Sequence, residues 1–171
     1  MNPQASEQAK IRVLMVCLGN ICRSPTAHGV FQKHIDDNDL SYALEVDSAG
    51  TSRYHIGEPP DSRSSSAASQ RGYDLSAQRA RQLADEDYQR FDYILAMDSD
   101  NLREIEARRP SEARAETGLL LDFAKSEEME VPDPYYSGGD GFEIVLNLVE
   151  DACLELLAHI KDRHEHFSSL R

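Results

Sequence analysis

Residues 11–29 read IRVLMVCLGNICRSPTAHG: an apolar run, then Cys17, Gly19, Asn20, Arg23, Ser24 and Pro25. Such an order leaves few folding options. It predicts a short buried strand, a tight loop and a helix opened by proline, whose missing N–H is not needed in a first turn. Backbone N–H groups from Leu18 to Arg23 would turn inward as a nest, the helix would add its positive end, and Arg23 would offer a planar fork of donors. All three favour an oxyanion of phosphate size. The same field favours the Cys17 thiolate over the thiol, so the loop of Leu18, Gly19, Asn20, Ile21, Cys22, Arg23 and Ser24 would both bind a phosphate and attack it. Gly19 is expected in backbone angles closed to other residues, and Asn20 tolerates the left-handed region while its side chain pins the loop. Ser24 has two readings. It caps the helix, or its hydroxyl also hydrogen-bonds the Cys17 sulfur, stabilising it as attacker and as leaving group.

Further along, the spacing predicts strands at Leu44–Asp47, Tyr93–Met97 and Leu119–Leu121, alternating with helices. Ala27, Val30, Phe31 and Ile35 keep helical spacing. Asp61 would cap a helix running to Arg71 that Gly72 ends, a short helix is expected near Asp85–Phe91, and Asp98 or Ser99 would cap one stopped by Arg109-Pro110. Phe142, Val145, Leu146, Val149, Cys153, Leu156, Leu157 and Ile160 mark a long amphipathic helix. Strands alternating with helices imply an α/β three-layer sandwich: a central four-stranded parallel sheet flanked by helices, with right-handed crossovers. In such sheets ligands bind at the carboxyl ends of strands, where Cys17, Ser48 and Asp98 would share one rim.

The chain has 171 residues, which fits one domain at 11–171 after a polar, disordered leader at 1–10. A formal charge of −13 argues against nucleic acid or an anionic membrane as partner. It does not exclude a phosphate site, because a distant acidic surface is screened within about 8 Å. The three cysteines form no secretory pattern, the leader is no signal peptide and no stretch is apolar enough to span a bilayer, so a reducing cytoplasm is expected. The cluster His159, His164 and His166 is expected to be solvated on a frayed terminal helix, and Cys153 to be core. Cys17, Cys22 and His28 lack the further ligand that zinc needs.

With CLGNICRSP set between strand and helix, the sequence resembles the low-molecular-weight protein tyrosine phosphatases, whose signature is C-x5-R-S with G-N inside the loop. Asp47-Ser48-Ala49-Gly50, Phe91–Asp98 and Asp133-Pro134-Tyr135-Tyr136 resemble that family's later blocks in the same order, so the likeness covers roughly residues 11–160. The resemblance implies hydrolysis of phosphotyrosine, an aryl phosphomonoester, through a cysteinyl phosphate on Cys17, with no metal or cofactor. Phosphotyrosine proteins would be its partners, among them a cytoplasmic tyrosine kinase and its targets, and no nucleic acid or membrane is expected.

Expelling an alkoxide requires a proton. Asp133 lies in Val-Pro-Asp-Pro-Tyr-Tyr, where the following proline restrains its aim, and a glycine-rich stretch at 137–141 comes next. By itself this reads as a turn aspartate; the resemblance assigns it as general acid and then base. Asp98 is the second candidate acid, although capping a helix would account for it. The resemblance further implies that Tyr54, Tyr135 and Tyr136 wall the pocket, that Ser48 hydrogen-bonds Asn20, and that Cys22 traps an oxidised Cys17 as a reversible disulfide. Many relatives carry histidine where this chain has Gln78, so any role of that histidine is in doubt here.

Three rivals stand beside this reading. An arsenate reductase on the same scaffold would need later relay cysteines, which are missing. A phosphoarginine phosphatase would carry threonine where this chain has the apolar Ile21. A non-catalytic phosphate-binding module would not need Cys17, Arg23 and Asp133 together.

Overall fold

A computed structural model describes residues 10–135 and 139–164. The expected leader at 1–9, Tyr136 and His166 lie outside the described residues. The elements are β1 (Ile11–Cys17), α1 (Arg23–Asp37), β2 (Leu44–Gly50), α2 (Ser62–Gln70), α3 (Asp87–Arg90), β3 (Tyr93–Ala96), α4 (Ser99–Ala107), β4 (Glu116–Leu119) and α5 (Gly141–Arg163). The strands form one parallel sheet in the order β2-β1-β3-β4. Because β1 has a neighbour on each side, the chain reverses its winding there, and the crevice beyond its carboxyl end is the natural ligand position of this topology.

Side-chain alternation along β1 feeds two cores. Val13, Met15 and Cys17 face the layer of α1 and α5, packing with Val30, Phe31, Leu146 and Val149. Leu14 and Val16 face the opposite layer, with Tyr88, Phe91 and Ile105. A strand buried on both faces has no polar side to show, which is why IRVLMVC is almost wholly apolar. Its exception, Arg12, reaches the edge and donates from Nε to Glu45 at 3.1 Å.

Local signals govern the helix ends. Asp61 caps α2 by accepting the Arg63 N–H at 2.8 Å, and Gly72 follows the helix at φ +88°, which glycine adopts without strain. The Asp98 carboxylate accepts the Asn101 N–H at 2.8 Å and caps α4. α1 differs from expectation, since its first turn follows Cys22 and carries no side-chain cap, so Ser24 is not its cap.

Three further expectations are corrected. The fourth strand is Glu116–Leu119, not Leu119–Leu121, and Leu120–Phe123 forms a 3₁₀ turn. Its apolar leucines turn down into the core below α5, while Asp122 accepts the Leu119 N–H at 3.3 Å and curls the chain out of the strand. β2 runs on to Gly50 because Ser48, Ala49 and Gly50 pair in register with Met15, Val16 and Cys17. His159 and His164 are not simply solvated: both rings meet Tyr93 edge-on, and His164 Nε2 lies 3.1 Å from its hydroxyl. Among the described residues no helix is long and apolar enough to cross a membrane.

Truncating Leu146, which is 1 % exposed, to alanine should cost about 2–5 kcal/mol in urea denaturation. Tyr88→Phe, which removes the hydroxyl donating to Ile105 O at 2.6 Å, should cost only about 1–3 kcal/mol. A larger loss for Tyr88→Phe than for Leu146→Ala would overturn this ranking.

Candidate active site

Asn20 holds the loop after β1. Its backbone is left-handed at φ +57°, a conformation asparagine tolerates better than most residues. Both hydrogens of its amide are used, one to Ser24 Oγ at 2.8 Å and one to Ser48 Oγ at 3.0 Å, and its Oδ1 accepts the Arg81 N–H at 2.9 Å. Ser48 is saturated in turn: it accepts from Asn20, donates to Gln78 Oε1 at 3.3 Å and meets His28 Nδ1 at 3.3 Å. Gln78 closes the network by donating from Nε2 to Pro25 O at 3.0 Å, so one amide ties β2 to the first turn of α1. Gly50 completes the fit, since a Cβ there would come within 2.7 Å of Leu18 O. Gly19 does not take the positive φ expected of it. Its smallness serves another purpose, because a Cβ would stand 3.0 Å from the His55 ring.

This frame presents Cys17 at the carboxyl end of β1. Its sulfur accepts the Asn20 N–H at 3.3 Å and lies 3.1 Å from Ser24 Oγ, so two polar groups converge on one atom. The N–H groups of Gly19, Ile21, Cys22, Arg23 and Ser24 donate to no protein acceptor among the described residues, as an anion-binding nest requires. Arg23 is 3 % exposed. Its Nη1 donates to Asp98 at 2.5 Å and to Val131 O at 3.1 Å. Its Nε–Nη2 edge, the geometry that reads two phosphate oxygens at once, donates no hydrogen bond among the described residues. Asp133 Oδ2 stands 3.7 Å from Nη2. Burial works against the guanidinium charge, but Cys17 and Asp98 outweigh it and raise the Arg23 pKa above the ordinary arginine value.

The pocket above this frame has a volume of about 410 Å³. Cys17 and Arg23 form its floor, Leu18, Ile21 and Cys22 its loop side, and Tyr54, Asp133 and Tyr135 its outer wall. Tyr54 is 89 % exposed and stands at the lip. Two lining residues, Ser52 and His55, escaped the sequence reading. His55 follows Tyr54 directly, and only the fold reveals that its ring lies over Gly19 while Nδ1 pairs with Glu58 at 2.8 Å. Asp98 also has more to do than either sequence reading allowed: one oxygen caps α4 and the other grips Arg23.

A model of the low molecular weight phosphotyrosine protein phosphatase family matches residues 12–166. The chain belongs to this family. The human low molecular weight phosphotyrosine protein phosphatase is 42% identical over 154 residues, covering 89% of this chain and 97% of the human one. A protein tyrosine phosphatase from Entamoeba histolytica superposes with a TM-score of 0.85 at 40% identity, covering 90% of this chain and 98% of its own. A Drosophila arginine phosphatase shares the fold at 31% identity and a TM-score of 0.83, covering 88% of this chain and 98% of its own.

Gln78 supplies an acceptor to Ser48 and a donor to Pro25 O from one side chain. Nearby His28 is half-buried. Desolvation lowers its pKa, with Asp47 opposing and Arg81 assisting. Cys22 packs with Ile21 and Ala80, and its thiol is pushed up to about 12, mainly by burial. Cys153 is fully buried in the core below α1.

Asn20→Ala should lose phosphatase activity and destabilise the fold by about 2–4 kcal/mol, since buried partners lose their bonds and alanine strains at positive φ. Asn20→Gly removes the strain but not the lost bonds, so it should recover some stability and little activity. Full activity in Asn20→Gly would show that conformation alone matters. For His28, the unfolded chain takes up a proton near pH 6.5 that the folded site resists, so stability should fall as pH drops below about 6.5. In thermal melts His28→Gln should show a flatter pH dependence from 7 to 5.5, and an unchanged slope would refute this linkage.

Proposed function

We propose that the protein is a protein tyrosine phosphatase that hydrolyses phosphotyrosine through a cysteinyl-phosphate intermediate. One observation carries the reading: Cys17 Sγ, held by the Asn20 N–H and the Ser24 hydroxyl, shares one pocket with Arg23 and Asp133, whose side chains stand 3.7 Å apart. The loop of residues 18–24 and Arg23 hold the phosphate. The Cys17 thiolate attacks phosphorus and the ester P–O bond breaks, while the Asp133 carboxyl delivers its proton to the departing phenolate oxygen. Tyrosine leaves and Cys17 carries the phosphoryl group. Asp133, now a carboxylate, takes a proton from water as the water oxygen attacks phosphorus. The S–P bond breaks, inorganic phosphate forms and the thiolate returns, steadied by the Ser24 hydroxyl.

Tyr54 and Tyr135 give the pocket aromatic depth suited to an aryl phosphate. The apolar Ile21 favours phosphotyrosine over phosphoarginine, and the absence of relay cysteines disfavours arsenate reduction. Cys22 acts as redox guard of Cys17, forming a reversible disulfide once the nucleophile is oxidised. The working compartment is the cytoplasm, where a tyrosine kinase supplies phosphorylated partner proteins.

Clean, reduced protein should hydrolyse a phosphotyrosine peptide without added metal, much faster than phosphoserine or phosphoarginine peptides, with arsenate reduction as a control. Cys17→Ser should abolish turnover. Asp133→Ala should lose about 10²–10⁴-fold on phosphotyrosine, and less on an aryl phosphate whose phenol leaves without a proton. Equal losses on both substrates would remove Asp133 from the acid role.

A further inference from the structure

The segment carrying Asp133 is fastened on both sides. Upstream, the Val131 N–H donates to Met97 O at 2.8 Å and Val131 O accepts from Arg23. Downstream, Arg63 on the first turn of α2 reaches across the pocket rim. Its Nη2 donates to Tyr135 O at 3.1 Å, and its guanidinium carbon stands 5.4 Å from the Tyr135 ring centroid and 4.8 Å from that of Phe142 at the start of α5. The opposite end of the linkage is Asp61, which receives Arg63 Nε at 3.1 Å and Nη2 at 3.0 Å. Asp61 in turn donates its own N–H to Ile21 O, in the phosphate loop, at 2.7 Å. A continuous path therefore runs from the phosphate loop through Asp61 and Arg63 to Tyr135. It ends on the carboxylate, because the Tyr135 N–H donates to Asp133 Oδ1 at 3.0 Å.

We propose that Arg63 is a positioning residue for the general acid: by gripping Tyr135 at its carbonyl and ring, it holds the Asp133 carboxylate in register with the phosphate loop. The proposal rests on the assignment of Asp133 as the acid. Two prolines flank Asp133, so the segment has little internal freedom and its aim depends on where its ends are fastened. Arg63 is suited to the task by shape as well as charge, since a planar fork can pair with a carboxylate, donate to a carbonyl and lie against aromatic rings at once. The Arg63 side of its pair with Asp61 is about half exposed to solvent, which limits what the pair contributes to folding, so its loss should register in chemistry more than in stability.

The test compares wild type, Arg63→Ala, Arg63→Lys, Asp133→Ala and the Arg63→Ala/Asp133→Ala double variant on a phosphotyrosine peptide and on an aryl phosphate with a strongly acidic phenol. Arg63→Ala should lower kcat on phosphotyrosine by about tenfold, more than it changes KM, with a clearly smaller loss on the acidic phenol. Its melting temperature should stay within about 2 °C of wild type. Arg63→Lys should recover little, and the double variant should be no slower than Asp133→Ala, because the two residues act through one proton transfer. If Asp133→Ala discriminates between the substrates while Arg63→Ala slows both equally, or if the two losses multiply, the Arg63 proposal alone falls. If Asp133→Ala does not discriminate, the acid assignment falls and this proposal with it.

Discussion

The site depends on one asparagine held in a left-handed backbone. Asn20 turns the chain back under Cys17, and its side chain bonds to α1 through Ser24, to β2 through Ser48 and to the following brace through Arg81 N–H. Each bond is modest, but those to Ser24 and Ser48 are buried and the one from the Arg81 N–H is partly so, and a buried group that loses its partner costs more than the bond itself contributes. The brace is anchored independently, because the Arg81 guanidinium pairs with Asp47 and with the buried Asp87. The loop is thus shaped before any ligand arrives, and an anion entering it meets donors already aimed.

Arg23 is the second constraint. A buried guanidinium needs compensation, and here Cys17, Asp98, Val131 O and Asp133 all supply negative character. Asp98 occupies the Nη1 side and orients the fork, while the Nε–Nη2 edge donates no hydrogen bond among the described residues.

Much of this was legible in the sequence because the signals were local. The strand–loop–helix order around Cys17, the caps at Asp61 and Asp98 and the stop at Gly72 are each written within a few residues. What was hidden depended on distant contacts. The boundary of β4 is set by leucines that the core below α5 draws out of the strand, and Ser24 is taken from capping by partners on β1, the loop and β2. His55 and Arg63 carry no motif of their own; they matter because one loop and one helix end converge on the rim. Gly19 illustrates the limit, since the small residue was recognisable but the neighbour demanding it was not.

The parity of β1 has a consequence of its own. Cys17 shares a face with Val13 and Met15, whereas Val16 belongs to the opposite layer. Side chains in a strand alternate strictly, so adding or deleting one residue between Ile11 and Cys17 would carry the thiol to the other side of the sheet while hydrophobicity stayed the same. The number of residues in this strand is therefore a chemical quantity. Evolution can exchange one apolar side chain for another along it, but it cannot change the count by one and keep the Cys17 thiol in its pocket.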